Sequence, residues 1–195
     1  MKEKEIRKLD LQFRAETNEE EKMEIKGYAV VFNSPETYSY TEVISERALD
    51  EADMSDVVLR YNHNDSFMVL ARTRNKSLEL TTDEKGLYMS ATLQDDITEH
   101  KNIFNAVKSG LIDKQSFAFT VEEEEYDYDT DTRTITKIGK LFDVSVVDQP
   151  FYNATDVSVA SKNDDFLERR ETLRKEHEDK IALEEAKAKL IEKLG

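Results

Sequence analysis

Pro150 divides the chain into two textures. Upstream of it, short apolar runs alternate with polar turns; downstream there is no further proline, and no glycine before Gly195. Because those two residues are the strongest interrupters of regular structure, the last stretch can only be one long helix or a solvated coil. Residues 164–194 are dominated by Glu, Lys, Arg, Ala and Leu, which are strong helix formers, so a helix is expected. Leu183, Ala186, Leu190 and Leu194 are spaced by three, four and four, giving one narrow apolar stripe. That stripe suits a coil that binds a partner better than a helix packed on the body, although its heptads are interrupted near His177 and Lys180. Between Asp164 and Lys193 there are 10 acids and 8 bases, so the tail is nearly balanced and the excess negative charge belongs to the body.

The body reads as mainly β. Residues 6–13 and 23–32 form two extended segments, the first with period-two alternation. A short helix is expected over residues 45–52, then strands over 57–61, 70–80 and 86–93. Asp96 offers an N-cap with Glu99 three residues on, and Ile97, Ile103, Phe104 and Val107 make a helical stripe ended by Gly110. Residues 116–121 then open a strand expected to pair with residues 133–138 across an acidic tip, and residues 141–147 return before Pro150. At 195 residues this is one domain, α+β and mainly β, with an appended helix.

Charge and composition remove several functions. The net charge of −15 leaves no basic excess to displace phosphate counterions, so no nucleic-acid partner is expected. With no cysteine, disulfides, thiolate nucleophiles and cysteine-based zinc sites are excluded. His63, His100 and His177 lack metal-ligand spacing, and the last two are expected on exposed helix faces. The acidic stretch 122–131 holds seven acids but no glycine, which reads as a solvated hairpin tip rather than a calcium loop. No apolar run is long enough to span a bilayer, and the N-terminus has no apolar core of a signal peptide, so neither export nor membrane association is expected.

Two segments carry reactive groups. Asn62-His63-Asn64 lies just past a strand end, and Ser116-Phe117-Ala118-Phe119 follows a helix and opens a strand. A serine hydroxyl becomes a nucleophile when an imidazole takes its proton and a third group orients that imidazole. Asp143, set among Leu141, Phe142, Val144 and Val146, is the candidate third group, with Asp148 and His100 as alternatives. Spacing alone leaves the other readings standing: Ser116 as a strand cap, His63 as a surface histidine, Asp143 as a solvent-facing acid. The chain order His, Ser, Asp and the absence of Gly-x-Ser-x-Gly exclude the chymotrypsin-like, subtilisin-like and α/β-hydrolase families.

A succession of segments resolves the choice by resemblance. Gly27 to Asn33, Glu42-Val43-Ile44 with Arg47-Ala48-Leu49, Asp56 to Leu59 with Asn62-His63, Leu70-Ala71-Arg72 and Gly86-Leu87 follow in order. Val107 to Leu111, Ser116 to Phe119, and Leu141 to Val147 with Pro150 continue it. This series resembles the prohead maturation proteases of tailed bacteriophages over residues 23–154. The resemblance implies a fold like the herpesvirus assemblins, a closed or nearly closed β-barrel carrying helices. It implies a protease domain over residues 1–160 and a helical tail over 161–195 of a kind that associates with scaffold and can be removed by self-cleavage.

It further implies a serine endopeptidase of virion assembly that cuts scaffold, or the scaffold-like part of the major capsid protein, and finally itself. The work would be done inside the assembling procapsid in the host cytoplasm, by a homodimer or homo-oligomer, with no metal or cofactor. Ser116 aligns with the family nucleophile, His63 with its base and Asp143 with its acid. The family commonly has Asn-His-Asp, a glycine two residues past the serine, and glutamate as the acid, where this chain has Asn64, Ala118 and Asp143. The competing readings are a non-enzymatic scaffolding or capsid-assembly factor of the same fold, and a hydrolase of another acyl substrate.

Overall fold

A computed structural model describes residues 4–9, 13–19, 21–37, 39–148 and 164–194. Among these residues eleven strands and two α-helices follow in the order β1 (Glu5–Leu9), β2 (Phe13–Thr17), β3 (Met23–Val31), β4 (Glu36–Thr37), β5 (Thr41–Ile44), β6 (Val58–Tyr61), β7 (Ala71–Arg72), β8 (Leu78–Thr82), β9 (Gly86–Leu93), α1 (Thr98–Lys108), β10 (Lys114–Asp127), β11 (Thr132–Val147) and α2 (Asp164–Leu194). The expected mainly-β, α+β class is what forms. A closed barrel is not seen among the described residues: β1-β10-β11-β5-β4, with β6 and β7, make one seven-stranded sheet and β2-β3-β9-β8 a second of four strands. Among the described residues no ladder joins the two, so the sheets are not closed into a ring.

The core lies between the sheets and under α1. Ile25, Leu87, Met89 and Ala91 from the smaller sheet are wholly buried with Phe117, Phe119, Ile135, Leu141 and Val144 from the larger. Ile103, Phe104 and Val107, three of the four stripe residues read from the sequence, are the apolar side chains that α1 buries. At Gly86 the chain runs so close to β3 that an added Cβ would sit 2.0 Å from the Val30 carbonyl oxygen. Only glycine fits such a close backbone approach.

Several sequence expectations yield to tertiary competition. Residues 45–52 form a run of i, i+3 turns rather than a helix, with Ala48 N–H bonded to the Ser45 carbonyl and Ala52 to Leu49. The Ala48 carbonyl is taken at 2.7 Å by the Ile138 amide of β11, which withdraws it from a helical ladder. Residues 70–80 split into β7, a 3₁₀ turn at Thr73–Asn75 and β8. The helix α1 begins after Ile97 with no side-chain cap, not at Asp96.

The acidic stretch is mostly strand. β10 runs through it to Asp127, pairing Glu123 with Lys137 and Tyr126 with Arg133, while Ser116 lies opposite Ser145. The hairpin is therefore longer than its apolar residues indicate, because β11 supplies basic partners to carboxylates that would otherwise repel one another. Residues 141–147, expected as a separate returning strand, are the end of β11. Near its start, α2 lays Arg170 on Asp131 and on the Tyr40 ring, and His177 stacks on Tyr128 at 4.9 Å. The expectation of an exposed His177 is corrected by that contact.

Candidate active site

β11 is flanked by both partners that matter. On one side β10 runs antiparallel and sets Ala118 against Asp143; on the other β6 runs parallel and sets Val58 against Asp143. Ala118 pairs with Asp143 but Phe119 with Leu141, leaving Phe142 as an extra residue. A bulge of this kind re-aims the side chain next to it, and here that side chain is Asp143.

β6 ends in a tight turn that delivers the histidine. Asn62 and His63 both have φ of 53°, a left-handed conformation unusual for residues other than glycine but tolerated by Asn and His. The turn is tied down on every side. Asn62 N–H donates to the Val146 carbonyl at 3.0 Å, the Asn62 amide bonds Asp148, and Arg60 holds the Asn64 carbonyl and Asp65 at 3.1 Å each. The His63 backbone N–H donates to Ser145 Oγ at 3.2 Å. A backbone held in a sparsely populated region by this many contacts is the pattern found at functional sites.

The three candidates meet in one chain of hydrogen bonds. Ser116 Oγ lies 2.6 Å from His63 Nε2, and His63 Nδ1 bonds Asp143 Oδ1. The carboxylate at Nδ1 draws the ring proton to that nitrogen and leaves Nε2 as the acceptor facing the serine. Asp143 is 1% exposed; burial alone would push its carboxyl up, but the His63 bond and the Lys4 ammonium at 3.0 Å outweigh it and hold it below the ordinary carboxylate range. Ser145, wholly buried, donates to Asp143 Oδ1 at 3.0 Å. One hydroxyl thus fixes both the acid and the histidine backbone.

The alternatives for the third position lie elsewhere. Asp148 accepts the Tyr61 hydroxyl at 2.5 Å and the Asn62 amide at 3.0 Å. His100, expected on an exposed face, is 3% exposed; its Nδ1 accepts the Gln94 amide at 3.1 Å and its Nε2 reaches the Val69 carbonyl. Arg72 forms a two-pronged ion pair with Asp56 at 2.6 and 2.7 Å, which occupies the guanidinium. Among the described residues no cluster of His, Cys, Asp or Glu is arranged to hold a metal ion, and no helix is long and apolar enough to cross a membrane.

No signal in the sequence marks the strand that covers this site. β1 pairs antiparallel with β10, setting Arg7 opposite Phe117 and Lys8 opposite Ser116. Ser116 is 0% exposed, and its Oγ lies 2.7 Å from the Arg7 carbonyl oxygen as well as beside His63. A hydroxyl has one proton, so donation to Arg7 and donation to Nε2 exclude each other. Period-two alternation marked β1 as a half-buried strand, but no local signal says which edge a strand joins. Ser145 was legible in principle, since it lies two residues from Asp143 and so on its face of the strand.

The sequence model of the caudovirus prohead serine proteases matches residues 9–169. Among solved structures, the chain is similar to the bacteriophage T4 capsid assembly protease, gp21, with a TM-score of 0.48 and 12% identity, covering 75% of this chain and 99% of that one. No curated protein sequence matches significantly.

Proposed function

The chain belongs to the caudovirus prohead serine protease family, and from that premise we propose that it is an endopeptidase in which Ser116, His63 and Asp143 do the chemistry. The observation that carries this reading is the continuous bond series from Ser116 Oγ through both ring nitrogens of His63 to Asp143. Ser116 attacks the scissile carbonyl as His63 Nε2 takes its proton; the imidazolium is stabilised by Asp143 and returns the proton to the departing amine. Water then repeats the sequence on the acyl-serine ester. Backbone amides beside Ser116 are the natural donors to the oxyanion.

The substrates under this reading are scaffold, or the scaffold-like part of the major capsid protein, and the protease itself, cut inside the procapsid in the host cell. Residues 1–160 are then the protease domain and residues 161–195 a tail that engages the scaffold, with homodimer or homo-oligomer formation as a control on activity. The buried Ser116 under β1 is a resting arrangement: the Arg7 carbonyl competes with Nε2 for the hydroxyl proton, and β1 must leave before another polypeptide can enter.

The test is co-expression with the capsid and scaffold proteins, with products read by gel and mass spectrometry. Cleavage that stops with Ser116→Ala is expected. Unchanged cleavage in that variant would end the proposal. The same covered serine also suits a non-enzymatic assembly factor, which particles forming normally around a chain inert to serine-directed phosphonates would favour.

A further inference from the structure

The residue whose carbonyl meets Ser116 is an arginine, and its side chain is fully engaged. Arg7 lies opposite Phe117, so its side chain leaves the ladder on the face away from Ser116, which keeps the carbonyl open to the nucleophile. The guanidinium is buried and grips Glu42 with two nitrogens, Nε on Oε1 and Nη2 on Oε2 at 2.7 Å. It also reaches Glu5 at 2.5 Å and the Ile6 carbonyl at 3.0 Å, and it lies over the Phe119 ring at 5.6 Å.

The receiving wall is built by the body. Glu42 of β5 is 3% exposed and accepts from Arg133 Nη1 at 2.9 Å and from the Tyr40 hydroxyl at 3.4 Å. Arg133 also bonds Glu124 at 2.8 Å through Nε. The body thus places two carboxylates and one guanidinium in this cluster, while β1 brings one carboxylate, Glu5, and one guanidinium, Arg7. The cluster holds one acid in excess with β1 or without it, so what β1 adds is pairing: Arg7 on Glu42, and Glu5 on Arg133 at 2.9 and 3.0 Å.

We propose that Glu42 selects a basic side chain, arginine before lysine, on the residue that offers its carbonyl to Ser116, with β1 occupying the track that a cleaved polypeptide takes along β10. The inference rests on the reading of Ser116 as nucleophile. A neutral side chain there leaves a buried carboxylate short of donors, and an acidic one adds a like charge. Arginine outranks lysine because its planar fork matches a carboxylate two-pronged and stacks on the Phe119 face. In the cut, a bond forms from Ser116 Oγ to the carbonyl carbon of the basic residue. The bond from that carbon to the next nitrogen breaks, the amine leaves with the proton from His63, and water releases the acid.

Full-length chain is incubated with peptides of the sequence spanning residues 3–12 in which the position of Arg7 is Arg, Lys, Met or Glu, and products are identified by mass spectrometry. The same set is offered to full-length Arg7→Ala, whose own strand is less firmly held. Cleavage after the varied residue is expected, with Arg ahead of Lys and at least ~10-fold ahead of Met and Glu, the ratio that one two-pronged contact of about 1.4 kcal/mol sets. Glu42→Gln should bring Arg and Met within ~3-fold of each other, while Glu42→Asp keeps the basic preference; the ranking by the unaltered chain decides the matter should Glu42→Gln not fold. Met or Glu peptides cut as fast as the Arg peptide would overturn the selection by Glu42 and leave the protease intact. No peptide cut by either chain, while capsid or scaffold protein is cut, would overturn β1 as the substrate track. If neither peptides nor proteins are cut, the protease reading falls and this inference with it.

Discussion

Asp143→Asn isolates the charge of the third residue from its hydrogen bonds. All three neighbours of the carboxylate donate to it: His63 Nδ1 and Ser145 Oγ to Oδ1, and Lys4 Nζ to Oδ2. Asparagine offers one carbonyl oxygen, which is best spent at the Oδ1 position, where Ser145 is wholly buried and the His63 side chain only 10% exposed. Its NH₂ then faces Lys4, whose side chain is 36% exposed and can swing into solvent. The ring therefore keeps its tautomer, and what disappears is the charge that stabilises the imidazolium. Two unit charges about 4 Å apart interact by about 4 kcal/mol at an effective dielectric of about 20. Lys4 already offsets part of that, leaving roughly 2–3 kcal/mol, or a 30- to 150-fold loss in kcat at 1.36 kcal/mol per tenfold. KM should hold, because no contact to the substrate is touched. The assay is steady-state cleavage of a capsid- or scaffold-derived polypeptide, with the melting temperature recorded to show that the variant is folded. A folded Asp143→Asn within threefold of the unaltered enzyme, in an assay that Ser116→Ala abolishes, would refute the role given to Asp143.

Ser145→Ala leaves the His63 backbone N–H without its acceptor and the buried Asp143 without a donor, which should cost about 1–3 kcal/mol of stability and lower kcat without raising KM; calorimetry and kinetics on one preparation check both. Gly86→Ala drives a Cβ into the Val30 carbonyl, and the forced shift of β3 should cost about 1–3 kcal/mol, lowering the melting temperature by roughly 2–12 °C at ~2–4 °C per kcal/mol. An unchanged melting temperature would mean the two backbones are not that close. Acid should destabilise the fold in part through Glu5: burial pushes its carboxyl up, but bonds to Arg133 and charge from Arg7 prevail and hold it low. A carboxyl lowered in the folded state contributes stability above its unfolded value, near pH 4.3, and loses it as pH falls through the folded value. Glu5→Gln should therefore flatten melting temperature against pH between about 5 and 3, and a slope equal to that of the unaltered chain would contradict it.

Elements whose residues satisfy themselves locally were legible in the chain. The stripe of α1 and the alternation of β9 need only their own periodicity. The long helix α2 needs only the absence of proline and glycine. Elements that bargain with neighbours were not legible. The turns over residues 45–52 have helical composition but lose a carbonyl to β11. The acidic arm of β10 looks like a solvated tip until Lys137 and Arg133 are set against it.

The sequence by itself determined which residues could react, because His63, Ser116 and Asp143 stand in an ordered series of segments from which the family follows. What it could not determine was proximity: these residues are separated by dozens of positions and meet only because β11 accepts β10 on one edge and β6 in parallel on the other. Strand pairing depends on backbone groups that every residue carries, so residue identity says little about which edge joins which. The same reason hid β1. Its residues read as an ordinary half-buried strand, and only the tertiary structure laid the Arg7 carbonyl on Ser116 and the Arg7 side chain on Glu42.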